Sequence, residues 1–356
     1  MVNVLIVEDS PVAAQLLCHV LSSDPDIRVL AVAKNGKEAL TILERQRPDV
    51  ITMDINMPGI DGYETARQIM KTRPVPIVIV SSVYNPQEIS ASFKAVEAGA
   101  LAILEKPPGP RHPDYQKKTR ELVTTVKLMS EVKVVKRYGS VVQYSADIKD
   151  TTKTVQSTTA SDIKVIAIGT STGGPVILQS ILSQLPKEFQ IPILIVQHIS
   201  KGFTEGFVNW LSKSTRYPVR IATHGESIKP AQAYVAPDDI HMGINSSGSI
   251  MLSNESPHGT IRPSVSYLFR AVAASFRCQA IGVLLTGMGK DGAAELKLIR
   301  DSGGITIAQD KESSTVYGMP AEAARIGAAT YILSPEDIVQ FLIGTAKREI
   351  NSTQER

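Results

Sequence analysis

Between residues 3 and 106, short apolar runs recur, each followed by a segment of helical periodicity: NVLIV, IRVLAVA, DVITM, PIVIV and LAIL. The runs are continuously apolar and rich in β-branched residues, the pattern of strands covered on both faces, hence of a parallel sheet wrapped by helices. This rhythm constrains the fold more than any other feature and predicts a doubly wound α/β domain with five strands. It returns at KVIAIG (164–169) and continues through IPILIVQ, QAYVA, a hairpin around Ser246-Ser247-Gly248, AIGVLLTG, GITIA and ATYIL. A second doubly wound α/β domain with a mostly parallel sheet is expected there. Between the two, a charged helical stretch from about Tyr115 to Lys133 gives way to aperiodic chain, and seven of the eleven residues from Thr151 to Ser161 are Ser or Thr. The expected boundaries are therefore 1–136 for the first domain, 137–162 for a solvated linker, 163–350 for the second domain and 351–356 for a tail.

Composition narrows the function class. With 43% apolar and 21% charged residues the chain is neither disordered, collagen-like nor membrane-embedded. Its net charge is +3, divided as +1 through residue 162 and +2 beyond it, so neither half carries the charge of a nucleic-acid binder. Arg111 to Arg137 holds eight basic and three acidic residues, a solvated helix face or a dock for an acidic partner. Only Cys18 and Cys278 are present, far apart and each in an apolar run, which supports neither a disulfide framework nor a thiolate metal site and suits a reducing compartment. MVNVLIVEDS lacks the basic and small-residue features of a secretory leader, and the longest apolar runs fall short of the roughly 18 residues of a membrane span. The expectation is a cytoplasmic protein with no membrane insertion and no nucleic-acid partner.

In open parallel sheets ligands bind outside the carboxyl ends of the strands. In the first domain those ends carry Glu8 and Asp9 after the first strand, Asp54 after the third, Ser81 after the fourth and Lys106 after the fifth. Three carboxylates on one edge repel one another unless a cation sits among them, and hard oxygens suit Mg2+; Lys106 offers a point charge for a phosphoryl group. Any one of these acids taken alone is as well read as a turn or cap residue. The joint pattern VEDS (7–10), MDINMPGIDG (53–62), VSS (80–82) and EKP (105–107) resembles the receiver domain of bacterial two-component response regulators. The resemblance implies a flavodoxin-like fold with a five-stranded parallel sheet, that Asp54 accepts a phosphoryl group from a histidine kinase, that Glu8, Asp9 and Asp54 hold Mg2+, and that Ser81 and Lys106 contact the phosphoryl group. Two positions depart from the common receiver pattern: Glu8 stands where Asp is usual, and Ile103 where an aromatic switch residue often lies.

In the second domain VIAIGTSTGGP runs from a strand into a helix and places Ser171 in a G-x-S-x-G context, where glycines allow a sharp turn that exposes a nucleophilic hydroxyl. A phosphate-cradling loop is the alternative, although neither G-x-G-x-x-G nor the P-loop pattern is matched. A serine needs a base. Of His198, His224, His241 and His258, His198 is best placed, because it follows the strand next after the Ser171 turn. AIGVLLTGMGKDG presents Asp291 as the group to orient it, with a helix N-cap as the rival role. The order Ser, His, Asp disfavours a standard α/β-hydrolase.

The segments IGTSTGGP, VQHISKGFT, APDDIHM, RPSVSYLFRAVA, LLTGMGKDGA and GGITIAQDKESSTVYGMPAEA, joined to the receiver, resemble the chemotaxis response-regulator protein-glutamate methylesterases across nearly the whole chain. The resemblance implies Ser171 as nucleophile, His198 as general base and then acid, Asp291 as its orienting group, and backbone amides of Thr172 and Met288 as oxyanion donors. It implies hydrolysis of glutamate methyl esters on methyl-accepting chemoreceptors with release of methanol, receptor glutamine deamidation, and no cofactor for the ester chemistry. Ser266 stands where the family's RPSVD segment has Asp, outside the triad and so expected to affect packing or substrate contacts. Two rivals remain open: a DNA-binding response regulator, whose output domain would be shorter and basic, and a catalytically idle receptor-docking module using the same cleft.

Overall fold

A computed structural model of the protein describes residues 1–82, 86–132, 134, 163–255 and 261–354, the side chains of 86–88 and 347–354 excepted. The expected linker 137–162 and His258 lie outside the described residues.

The first domain alternates strands and helices in the order β1 (Val2–Val7), α1 (Pro11–Ser22), β2 (Ile27–Ala33), α2 (Gly36–Arg45), β3 (Val50–Met53), α3 (Gly62–Thr72), β4 (Ile77–Ser81), α4 (Pro86–Ala98), β5 (Ala102–Glu105) and α5 (Tyr115–Ser130). All pairs are parallel and the strand order is β2-β1-β3-β4-β5. The continuously apolar strands divide their side chains between two cores: Leu5 and Val7 join one helical layer, Val4 and Ile6 the other. Helix starts are set by side-chain caps. Ser10 accepts from the Ala13 amide with Pro11 at the first position, Asn35 from Glu38, and Asp61 from Glu64.

The second domain continues with β6 (Val165–Thr170), α6 (Gly174–Gln184), β7 (Ile193–Gln197), α7 (Thr204–Thr215), β8 (Val219–Ile221), β9 (Ala233–Val235), β10 (His241–Ile244), β11 (Ile250–Ser253), α8 (Val265–Phe276), β12 (Ala280–Leu284), α9 (Ala293–Asp301), β13 (Ile305–Gln309), α10 (Met319–Arg325), β14 (Tyr331–Leu333) and α11 (Pro335–Gln354). Seven strands form one sheet in the order β14-β13-β12-β6-β7-β9-β8, every pair parallel. The expected hairpin is β10–β11, closed by Asn245, whose Oδ1 accepts from the Ser247 and Ser249 amides. The sequence reading passed over β8, a three-residue edge strand too short for a periodic signal. It also placed Cys278 in an apolar run; the residue is exposed, in a single 3-10 turn between α8 and β12. The last helix extends to Gln354, into the expected tail.

Strand order reverses around β6, which has β7 on one side and β12 on the other. The carboxyl ends of these three strands meet at the crevice where doubly wound sheets bind ligands. Among the described residues no helix is long and apolar enough to cross a membrane.

Candidate functional site

The position of Ser171 is fixed by main-chain bonds. Across β6 and β7, Thr170 pairs with Gln197, so Ser171 and His198 are the next residues at the edge. The His198 amide donates to the Thr170 carbonyl at 2.9 Å, and the Ser171 amide to the Thr286 carbonyl at 3.0 Å, which brings the turn after β12 alongside. Gly173 follows with φ of +80°, a left-handed conformation that turns the chain directly into α6 and that a side chain would resist. Ser171 Oγ is partly exposed and makes no hydrogen bond among the described residues. The amides of Thr172 and Met288 likewise donate to no group among the described residues.

His198 Nε2 lies 2.9 Å from Asp291 Oδ2, both side chains 14% exposed. Asp291 is not the cap of the helix that follows it, because Gly292 occupies that place before α9. Its carboxylate instead accepts from the amino end of α8: the Val265 amide at 2.7 Å, the Ser264 hydroxyl at 2.9 Å and the Ser266 amide at 3.1 Å. Burial alone would raise the Asp291 carboxyl, but the hydrogen bond and charge of His198, with Ser266 and the Val265 amide, hold it well below the usual carboxylate range. A helix N-terminus adds its partial positive charge in the same direction. The acid is thus kept ionised and fixed, as needed to hold an imidazole in one tautomer and orientation.

Two residues of this shell had not been singled out for such a role. Ser264 caps α8 through the Tyr267 amide and also reaches Asp291; the signal available was a serine before an apolar helical run. Ser266, expected to affect only packing or substrate contacts, binds Asp291 through its amide while its hydroxyl accepts from Gly292. Of the other described candidates, His224 Nδ1 accepts from the Leu252 amide, and His241 is buried against the Tyr267 ring, the centroids 4.7 Å apart.

In the first domain Glu8, Asp9 and Asp54 offer carboxylate oxygens within 4.8 Å of one another. Lys106 Nζ stands 3.0 Å from Glu8 Oε1 and 2.9 Å from Asp54 Oδ2. Burial raises the Asp54 carboxyl, opposed by Lys106 and by the Ile55 and Asn56 amides. Burial and the neighbouring Asp54 raise Glu8. Ser81 Oγ is buried with no hydrogen-bond partner among the described residues, an open position for an acceptor-rich group beside Asp54. Three carboxylates gathered with their hard oxygens this close fit a divalent cation such as Mg2+.

The domains meet through α4 and α7. Phe93 is fully buried between Phe207 and Trp210, with ring centroids 5.7 and 5.4 Å away. Glu97 accepts from Trp210 Nε1 at 2.7 Å and from Gln179 of α6 at 3.2 Å. Val316, whose carbonyl accepts from the Gly287 amide beside the Met288 turn, packs on the core of the first domain. Ile103 packs against both its own core and the cluster containing Ile89 and Phe93.

The family model for the CheB methylesterase matches residues 166–342, and that for the response regulator receiver domain residues 4–112. A protein-glutamate methylesterase/protein-glutamine glutaminase 1 of Syntrophus aciditrophicus is 52% identical over 346 residues, 97% of this chain and 99% of that protein. The chain belongs to the CheB methylesterase family. A second member of this family, from Nitrosospira multiformis, is 49% identical over 96% of each chain. Among solved structures, the Thermotoga maritima CheB methylesterase catalytic domain is 37% identical, covering 52% of this chain and 98% of that one, with a TM-score of 0.49.

Proposed function

We propose that the protein is a phosphorylation-regulated serine hydrolase that demethylates glutamate methyl esters on chemoreceptors and deamidates receptor glutamines, with Ser171, His198 and Asp291 as its catalytic set. The observation that carries this reading is the Asp291 carboxylate, bonded to His198 at one side and to the start of α8 at the other, with Ser171 and His198 the next residues after the paired ends of β6 and β7. Ser171 Oγ attacks the ester carbonyl. Because Nε2 of His198 is taken by Asp291, Nδ1 is the nitrogen that receives the serine proton, a general-base contribution of about 10² to 10⁴ in rate. The developing oxyanion takes the unspent amides of Thr172 and Met288, each such donor contributing roughly 3 kcal/mol. His198 then gives that proton to the methoxy oxygen, or to the amide nitrogen of a glutamine, so that methanol or ammonia leaves, and water attacks the acyl-serine by the same route. No cofactor enters this chemistry.

The receiver, proposed to span 1–136 and joined through 137–162 to a catalytic domain of 163–350, accepts a phosphoryl group on Asp54 from a histidine kinase of the chemotaxis type. Glu8, Asp9 and Asp54 would hold Mg2+, which when bound neutralises charge on the phosphoryl oxygens. Ser81 and Lys106 contact that group. The reading places the protein in the cytoplasm, where the kinase and the receptor tails are. The α4–α7 contact and Val316 support control by the receiver over the cleft. A swing from 1% to 99% open needs roughly 5.5 kcal/mol of differential stabilisation, so phosphorylation gives a partial shift.

The test is methanol release from carboxyl-methylated chemoreceptor membranes by the intact protein, Ser171→Ala and Asp54→Asn, each with and without a small phosphodonor. The intact protein releases methanol, and more with phosphodonor; Ser171→Ala releases none above background; Asp54→Asn keeps basal release and loses the stimulation. Equal release by the Ser171→Ala protein removes Ser171 from the mechanism, and unchanged stimulation in Asp54→Asn removes the switch.

A further inference from the structure

Gln197 ends β7, is 4% exposed, and belongs to neither the triad nor the oxyanion donors. Its Nε2 donates to two main-chain carbonyls, that of Ser171 and that of His198, each at 2.8 Å. The two acceptors are the carbonyls of the two residues between which the serine proton must pass. The Ser171 carbonyl also accepts from the Gly174 amide at 2.9 Å. For the His198 carbonyl, Gln197 is the donor that the described residues supply.

The other end of the same amide is left unsatisfied. Gln197 Oε1 is buried with no hydrogen-bond partner among the described residues, and it lies against Gly174, where a Cβ would sit 2.4 Å from it. A buried acceptor without a donor is unfavourable, and a methionine or leucine of similar volume would fill the space without that cost. An apolar side chain, however, has no N–H. The position therefore retains a group whose carbonyl is a liability and whose NH2 bridges the nucleophile to the base.

We infer that Gln197 is a positioning residue of the esterase: its NH2 group ties the Ser171 and His198 backbones together and sets the distance between the hydroxyl and the imidazole. The inference rests on the catalytic assignment above and adds to it. Main-chain bonds already hold Ser171 to Thr286 and His198 to Thr170. Neither spans from one catalytic residue to the other, and the Gln197 amide does. Loss of such a tie lets the reacting atoms drift, and a displacement near 1 Å costs on the order of 10²-fold in rate without altering how substrate is bound elsewhere.

The experiment compares full-length wild type, Gln197→Met and Gln197→Glu on carboxyl-methylated chemoreceptor membranes in the presence of phosphodonor. A fluorophosphonate counts the reactive serines, so that kcat is expressed per titrated site and a poorly folded fraction reads as fewer sites rather than slower ones. Gln197→Met is expected to lower kcat about 10- to 100-fold with KM within about twofold. Gln197→Glu places acceptor oxygens against two carbonyls at neutral pH and regains one donor when its carboxyl protonates. Its kcat relative to wild type at the same pH should therefore rise as pH falls, while the Gln197→Met ratio stays flat. A kcat within twofold of wild type in Gln197→Met, or a Gln197→Glu ratio that does not change with pH, overturns the inference. Failure of the fluorophosphonate to label wild type would instead strike the assignment of Ser171, so the two failures are distinguishable.

Discussion

Both domains place carboxylates at the carboxyl edge of a parallel sheet, yet they treat the charge in opposite ways. In the receiver three acids crowd one lysine, and burial pushes Asp54 and Glu8 up. In the esterase one acid takes four donors from His198, Ser264, Val265 and Ser266 and is pushed down despite burial. The difference follows from the task. At Asp54, the carboxylate proposed to accept a phosphoryl group beside a cation, Lys106 and the Ile55 and Asn56 amides do not outweigh burial. Asp291, proposed to hold an imidazole, is supplied with donors that outweigh burial and keep its carboxylate ionised at neutral pH.

The largest effect expected from breaking this contrast is at Asp291. Asp291→Asn keeps the size of the side chain but offers an amide NH2 where donors converge, and it no longer fixes the His198 tautomer. The expected loss in kcat is about 10³ to 10⁴-fold, measured as methanol release per fluorophosphonate-titrated site. Phosphorylation of Asp54 by a small phosphodonor should be unaffected in the same protein. A loss below tenfold would mean that Asp291 is a structural anchor for α8 and does not orient the base.

The same contrast explains what the sequence disclosed. Strand ends are legible because continuous apolar runs announce themselves together with the residues that follow, and Glu8, Asp54, Lys106, Ser171 and His198 all stand at such ends. Asp291 carried an open alternative as a helix cap, and only the position of Gly292 before α9 resolves it. Ser264 and Ser266 could not be placed because their role depends on which helix end docks against the β12 turn, a matter of tertiary packing across some 25 residues of chain. Gln197 was hidden inside a strand, where a polar residue at the end of an apolar run looks like a boundary. The pairing of Glu97 with Trp210 joins two domains whose strands and helices are each legible and whose mutual docking is not.

An intermediate effect is expected at that domain contact. A Cβ at Gly206 of α7 would lie 2.1 Å from Ile89 Cγ2 of α4, so Gly206→Val forces the helices apart. Unphosphorylated Gly206→Val should release methanol severalfold faster than wild type, and phosphodonor should add little. Glu97→Gln weakens the acceptor for Trp210 while keeping its shape; about 1 kcal/mol lost from the closed form raises the open population about fivefold. Trp210 is the single tryptophan of the chain, so its emission reports the contact directly. Activation without a change in Trp210 emission would separate activity from this interface.

The smallest effect tests how firmly Asp291 is held. Ser266→Ala keeps the Ser266 amide on Asp291, leaves the Gly292 amide without its acceptor and removes the hydroxyl that also favours the ionised Asp291. A loss of about 0.5–1.5 kcal/mol in stability is expected near neutral pH, with a two- to fivefold fall in kcat. The pH dependence of the stability part has a definite sign. The folded-state pKa of Asp291 lies below its ordinary value of 3.8, so the stabilisation from its ionised form is fully present above that value and is lost as pH falls through the depressed one. The gap in urea midpoint between wild type and Ser266→Ala should stay constant from pH 7 to about 4 and narrow only below it. The part that remains in acid belongs to the Gly292 bond, which does not titrate. A gap that closes already between pH 7 and 5 would mean that the Asp291 carboxyl is not depressed, and the distinction drawn between the two carboxylate centres would fail at its esterase half.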